Sequence, residues 1–359
     1  MRHFNRKADW RIATVAICFS LALMVAVPAN ASEILIKIAN ADGVADIQLN
    51  KTNGEYISQD VKCQAFKRFV EKSSGGRIKV TIYPNCQLGG ERELWEMTKQ
   101  GSIQMSTCST AVLPNFVPEV MAILIPYIFR DQNVGLKVLN GPVGQELNDL
   151  ILKKIGVRVF QWQMETEYNF MTRGRSVRVP GDLKGLKIRV VENPLIVEIA
   201  KLTGATPTPI PFSEVYTSVQ QGVVEGLHTG IGLINMLGLN KIINHYNLSN
   251  AWMGWGTISI NEKFFQSLSP QDKYLVTQAA LMAGEAYQGM SDWGRDLWVD
   301  HFIEQGKDVQ ILDQATKEIW VKTLRPPIIE YVKKEIGSEW VERMMKASTD
   351  AEKQLYGSP

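Results

Sequence analysis

The residues of this chain able to do chemistry are few and scattered. Beyond the N-terminal apolar segment the histidines are His228, His245 and His301. No His-Glu-x-x-His pair or Gly-x-Ser-x-Gly elbow occurs, so neither a zinc protease nor a serine hydrolase site is spelled out. No Gly-x-x-x-x-Gly-Lys-Ser/Thr loop is present to cradle phosphates. Carboxylates are plentiful, but sequence alone does not place two of them face to face. His228, beside Thr229, can donate to an anion or sense pH; a satisfied core histidine is the plain alternative. Arg189 ends a strand-like run, and its permanently charged guanidinium can grip a carboxylate through two parallel hydrogen bonds. Taken alone, such an arginine equally reads as solvated or ion-paired. Trp252 and Trp255 flank Gly254, and their faces suit either core packing or the apolar faces of a sugar-like ligand.

The chain context narrows these options. Arg2, Arg6, Lys7 and Arg11 precede an apolar stretch from Ile12 to Val27, followed by Pro28 and Ala29-Asn30-Ala31. Charged, apolar and small-residue regions in that order predict a cleaved signal peptide over 1–31 and a periplasmic, exported protein. An uncleaved anchor is the alternative. No later run has 18 apolar residues, so the exported part is expected to be soluble. Of 39 basic and 37 acidic residues, the segment removes four and one, leaving a mature charge of −1. That balance lacks the basic surplus of a nucleic-acid binder. In an oxidising compartment Cys63 and Cys86 can close a disulfide loop, with three buried small residues as the alternative. Cys108 is then an odd thiol, and the three cysteines lack a zinc spacing. No cofactor motif is found.

The 359 residues, 45% of them apolar, suggest about two domains. Residues 33–39 alternate like a strand, and Val61, Ala65, Phe66, Phe69 and Val70 recur at helical spacing. Further strands are expected at 78–82, 103–105 and 186–191, and one beginning at Val223-Val224. Helices are expected over 91–100, from Pro194 to near Gly204, and from Ser213 to Gln221. Thr206 to Pro211 reads as a stiff connector. This alternation implies a largely parallel sheet in an α/β fold. From Ser269-Pro270 to about Gln305 only Gly284, Gly289 and Gly294 interrupt. A helix there would be roughly 50 Å long, enough to span two lobes.

Three stretches carry a family resemblance. They are Glu71-Lys-Ser-Ser-Gly-Gly-Arg-Ile-Lys-Val-Thr-Ile-Tyr-Pro with Gln87-Leu-Gly-Gly-Glu91, then Pro180-Gly-Asp-Leu-Lys-Gly-Leu-Lys-Ile-Arg-Val, and Gly204-Ala-Thr-Pro-Thr-Pro-Ile-Pro-Phe-Ser-Glu-Val-Tyr with Gln220-Gln-Gly-Val-Val-Glu-Gly. In order and spacing the chain resembles the solute-binding subunits of tripartite ATP-independent periplasmic (TRAP) transporters, the DctP family, over residues 33–350. The resemblance implies two α/β lobes around a ligand cleft, one long helix across both, and delivery to membrane permease subunits driven by an ion gradient. Lobe I is expected at 32–166 and 255–294, lobe II at 167–254 and 295–359. Arg189 matches the family's carboxylate-gripping arginine, Phe212 an aromatic wall and Glu91 a pocket-facing acid. Asn40 is a candidate by position.

Departures from the pattern bear on the ligand. Where many members have Gln-Glu-Asn-Pro after the acid-Gly pair, this chain has Leu227-His228-Thr229-Gly230, so Thr229 replaces an asparagine. The sialic-acid branch's second arginine corresponds to Asn169 and its pocket glutamate to Ser109, which argues against sialic acid. A small organic acid is the expected solute. A glycerol-phosphate, an aromatic acid, a polyol, or a role feeding a sensor kinase are the alternatives. The protein is expected to be a monomer and not an enzyme.

Overall fold

The structure, a computed structural model, describes residues 33–42 and 60–357, without the side chains of 292–296. The signal peptide expected over 1–31 lies outside the described residues. The chain opens with β1 (Ile34–Ala39), α1 (Asp60–Ser73), β2 (Ile78–Tyr83), α2 (Glu91–Gln100) and β3 (Met105–Ser106). After α3 (Gln132–Leu139) and α4 (Pro142–Ile155) come β4 (Val157–Thr172), β5 (Lys187–Val190), α5 (Pro194–Leu202), β6 (Thr206–Pro209) and α6 (Val215–Gln220). The remainder is β7 (Gly226–Gly230), α7 (Ile231–Met236), β8 (His245–Asn261), α8 (Glu262–Ser267), α9 (Pro270–Glu304), β9 (Asp308–Ile311), α10 (Gln314–Ile336) and α11 (Ser338–Tyr356).

One sheet runs through the molecule in the order β2-β1-β3-β8-β4-β7-β5-β6, with β9 against β8. The βαβ units at each end are parallel, as expected. The middle is not. β4 and β8 are antiparallel to each other, from Val157–Asn261 to Thr172–His245, while β3 runs antiparallel to β8 and β7 antiparallel to β4. Thr206 to Pro209 is a strand, not a connector. Its two prolines lack N–H groups, and that is tolerated because β6 is the sheet's last strand. The strand expected from Val223 starts three residues later, because Val223 is exposed in the preceding turn. Phe212–Glu214 is a 3-10 turn, and the α-helix begins only at Val215.

Helix α9 begins where Ser269 Oγ accepts the Asp272 N–H at 3.1 Å, with Pro270 in the first turn. Its first half sends Val276, Ala279, Ala280 and Ala283 into the core formed by β1, α1 and β2. Its last turns send Trp298 and Phe302 into a second core under β7, α6 and α7. Among the described residues no helix is long and apolar enough to cross a membrane.

The expected disulfide is not formed: Cys63, Cys86 and Cys108 are all free thiols. Cys63 is buried on α1, its Sγ 3.3 Å from Asn40 Nδ2 and 3.3 Å from Thr107 Oγ1. Cys86 sits in a left-handed turn (φ 54°) that directs its thiol to the Ala41 carbonyl at 3.2 Å. Each sulfur is thus engaged by its own partners.

Candidate functional site

A narrow cavity lies where β4, β5 and β7 meet the segments following β1 and β3. Arg189, on β5, is only 3% exposed and lines it. Its Nε and Nη2 both donate to the Ile210 carbonyl, at 3.0 and 2.8 Å. That contact clamps the guanidinium plane from one side. Burial pulls the Arg189 pKa down, while Tyr168, Glu91 and Glu192 oppose the shift; guanidinium stays charged regardless. A second, smaller recess shares Glu91, Arg189, Val191 and Phe212, so Arg189 lines both.

Three carboxyl groups, those of Asp42, Glu91 and Glu165, line the same cavity as Arg189. Glu91 opens α2 and accepts the Ser109 N–H at 3.0 Å. Burial, then the Glu165 and Asp42 charges, push its pKa up to about 8, against the pull of Ser109 and Arg189. Glu165 is raised too, chiefly by burial, with Lys62 opposing. Lys62 Nζ lies 3.3 Å from Glu165 Oε1. Ser109 caps the following 3-10 turn through its hydroxyl, and Trp95 Nε1 holds its carbonyl at 3.1 Å.

Because folding raises the Glu91 pKa, its stabilising contribution is fully present below the ordinary value of 4.5 and is lost as pH rises toward about 8. Glu91→Gln is therefore expected to gain a few degrees of Tm relative to the wild type between pH 5 and pH 8. Thermal unfolding of both proteins without ligand measures it. A constant Tm difference across that range would show that Glu91 is not held in this buried, acid-crowded state.

Two glycines of β8 make room for this wall. A Cβ on Gly256 would lie 1.9 Å from Glu165 Oε1, and one on Gly254 would lie 2.6 Å from Tyr168 Cε2. The segment Trp252-Met-Gly-Trp-Gly is thus small where β4 places its acid and its phenol.

The structure brings Arg189, Phe212, Thr229, Ser109 and Glu91 together around the cavity. It keeps the other expected residues out of the lining. His228 neighbours Thr229 on β7, and strand alternation turns it to the opposite face. There it stacks on Phe170 with centroids 4.1 Å apart. Burial and Arg189 depress its pKa to about 3, so it is neutral and no pH sensor. Trp252 stands behind the wall, stacked at 3.7 Å on Tyr168, which does line the cavity. Trp255 is core, edge-on to Phe129 at 5.6 Å. Asn169 spends its amide on the backbone: Oδ1 accepts the Asn250 N–H at 2.7 Å and Nδ2 donates to the Glu167 carbonyl at 3.2 Å. Asn40 turns toward Asp60 and Cys63. Asp42, Glu165, Thr166 and Tyr168 were missed. A sequence signal existed in Glu165-Thr-Glu-Tyr168, polar residues in the middle of a long, otherwise buried strand.

The sequence matches the family DctP, bacterial extracellular solute-binding protein family 7, over residues 50–335. A solute-binding protein of Verminephrobacter eiseniae is 30% identical over 309 residues, covering 86% of this chain and 91% of that one. The fold is similar to the sugar acid binding protein DctPAm of Advenella mimigardefordensis in complex with galactonate (TM-score 0.81, 25% identity, 89% and 99% of the two chains). It is also similar to a TRAP periplasmic solute-binding protein of Polaromonas sp. JS666 bound to D-erythronate (TM-score 0.78, 26% identity, 87% and 98%). With that match, that fold and a buried cavity built for a small polar solute, the chain belongs to the DctP family as a two-lobed α/β solute-binding protein of the TRAP type, a carrier and not an enzyme.

Proposed function

We infer that this protein captures a polyhydroxylated monocarboxylate, a sugar acid of the aldonate type. In this reading Arg189 grips the carboxylate, and the protein delivers the solute from the periplasm to the membrane permease subunits of a TRAP transporter. A signal peptide over 1–31 would bring it there. The observation that carries the reading is the lining of the cavity, where one guanidinium stands with the carboxyl groups of Asp42, Glu91 and Glu165. A guanidinium offers a carboxylate two parallel donors. Carboxylates accept hydroxyl hydrogens and repel a second anion. A second carboxylate would enter a lining that already holds three carboxyl groups, and an uncharged polyol would leave the two parallel guanidinium donors without a carboxylate to match them. The relatives solved with galactonate and D-erythronate agree with this class. Tyr168 and Phe212 supply flat apolar walls for the carbon chain.

Thermal shift of ligand-free mature protein tests it against aldonates, C4-dicarboxylates, polyols and aromatic acids. A solute at 100 times its Kd adds about 2.7 kcal/mol to the native state. For a chain of this size that raises Tm by about 4 °C. Aldonates are expected to give that rise. Shifts from dicarboxylates or polyols alone would overturn the proposed solute.

A further inference from the structure

One buried charge near the cavity is left unexplained by the lining alone. Lys62 lies on α1 with its side chain fully buried. Around it α1 also buries Asp60, Val61, Cys63, Phe66 and Val70, and Asp60 takes hydrogen bonds from Asn40 and Gln64. Its Nζ reaches Glu165 Oε1 at 3.3 Å and rests 4.3 Å above the centroid of Tyr287, on α9. It is absent from the residues lining the cavity, whereas Glu165 is among them. Burying an ammonium costs several kcal/mol, and replacing a buried ion pair by apolar groups is often neutral or stabilising. Stability alone therefore gives no reason to keep a lysine here. A carboxylate kept in the wall for another purpose does.

We propose that Lys62 is a positioning residue of the solute site: from behind the wall its ammonium holds the Glu165 carboxylate as the acceptor for a solute hydroxyl. This rests on the hydroxy-acid reading above. Glu165 faces Lys62 from α1, Asp42 from the segment after β1, Glu91 from α2 and the Ser109 hydroxyl. Arg189 and Tyr168 line the same cavity. Lys62 is the cation bonded to Glu165 against the two facing acids. Gly256 completes the device by leaving the space that Glu165 Oε1 occupies. Without Lys62 the carboxyl takes up a proton at higher pH and loses its fixed orientation, while Arg189 is untouched. Lys62 thus acts on hydroxyl recognition, through Glu165.

The test pairs a binding cycle with a titration that needs no ligand. Lys62→Met, Glu165→Gln and the double variant are titrated calorimetrically with galactonate and its monodeoxy analogues. A charge-assisted hydrogen bond sets the scale, so each single variant is expected to lose about 10- to 100-fold in galactonate affinity. Adding Lys62→Met to Glu165→Gln should cost less than about twofold more, and one deoxy position should cost the variants much less than the wild type. Lys62→Arg should recover most of the affinity. In parallel, carboxyl-carbon NMR of the ligand-free protein, with Glu165 assigned by its loss in Glu165→Gln, should show the Glu165 midpoint moving to higher pH in Lys62→Met. Additive losses, or equal losses for all deoxy analogues, would reduce Lys62 to a structural role and overturn the proposal. An unmoved Glu165 midpoint overturns it whatever the ligand. Galactonate failing to bind the wild type counts against the solute class alone, and the titration still decides Lys62. If Lys62→Met does not fold, wild-type affinity in Glu165→Gln overturns the proposal by itself.

Discussion

Replacing Arg189 by alanine is expected to weaken sugar-acid capture on the order of 100- to 1,000-fold, by roughly 3–4 kcal/mol. The size follows from burial. The guanidinium is 3% exposed and clamped to the Ile210 carbonyl by two donors, so a solute carboxylate meets a charge already stripped of water and already oriented. Its removal leaves that carboxylate beside Asp42, Glu91 and Glu165, with no cation among the described residues that line the cavity. Arg189→Lys keeps the charge but loses the planar fork, and is expected to recover only part of the affinity. Calorimetric titration with an aldonate checks both, with circular dichroism to confirm the fold. Affinity within about threefold of wild type in a folded Arg189→Ala would remove Arg189 from the site.

The second large effect is expected at Gly256, which touches no solute. Its Cβ would fall 1.9 Å from Glu165 Oε1 and 2.5 Å from Glu165 Cδ, too close for any adjustment short of moving the carboxyl group. Gly256→Ala should therefore drive Glu165 off Lys62 and Ser109 and into the cavity. An affinity loss of about 10- to 100-fold is expected, from the displaced charge-assisted bond. Overpacking should cost about 1–3 kcal/mol of stability. Pairing Gly256→Ala with Glu165→Ala restores space, so the double variant should regain most of the stability but not the affinity. If the alanine variant binds as tightly as wild type, the Glu165 carboxyl has no part in holding the solute.

What the sequence made legible was local. Gly101 at the end of α2, Pro194 at the start of α5 and Ser269-Pro270 before α9 are punctuation written in single residues, and the elements stop and start there. β4 was not read at all. Its sixteen residues are mostly buried whatever their polarity, because strands pair on both sides and helices cover it, so neither alternation nor a pure apolar run announces it. β6 was taken for a connector because prolines argue against an interior strand, whereas β6 lies at the sheet edge, where they are tolerated. The site divides the same way. Arg189, Phe212 and Glu91 were reached through family motifs, which are contiguous stretches. Asp42 and Glu165 carry no such motif. What makes Glu165 informative is a lysine 103 positions away and a glycine on a neighbouring strand, and chain order does not encode that proximity. The cysteines erred for a related reason. Their separation along the chain permitted a bridge, but the left-handed turn at Cys86 sets where its thiol points.

The shared helix also orders events in time. The core around β1, α1 and β2 is closed by Ile258 and Ile260 of β8 and by Val276 to Ala283 of α9, and Met105 of β3 pairs with Ile260. β1, β2 and β3 pair with one another early, but the β8 strand that also pairs with β3 lies more than 150 residues further along the chain. Such long-range pairing makes folding slow and late. That first core is therefore closed only once β8 and α9 are in place.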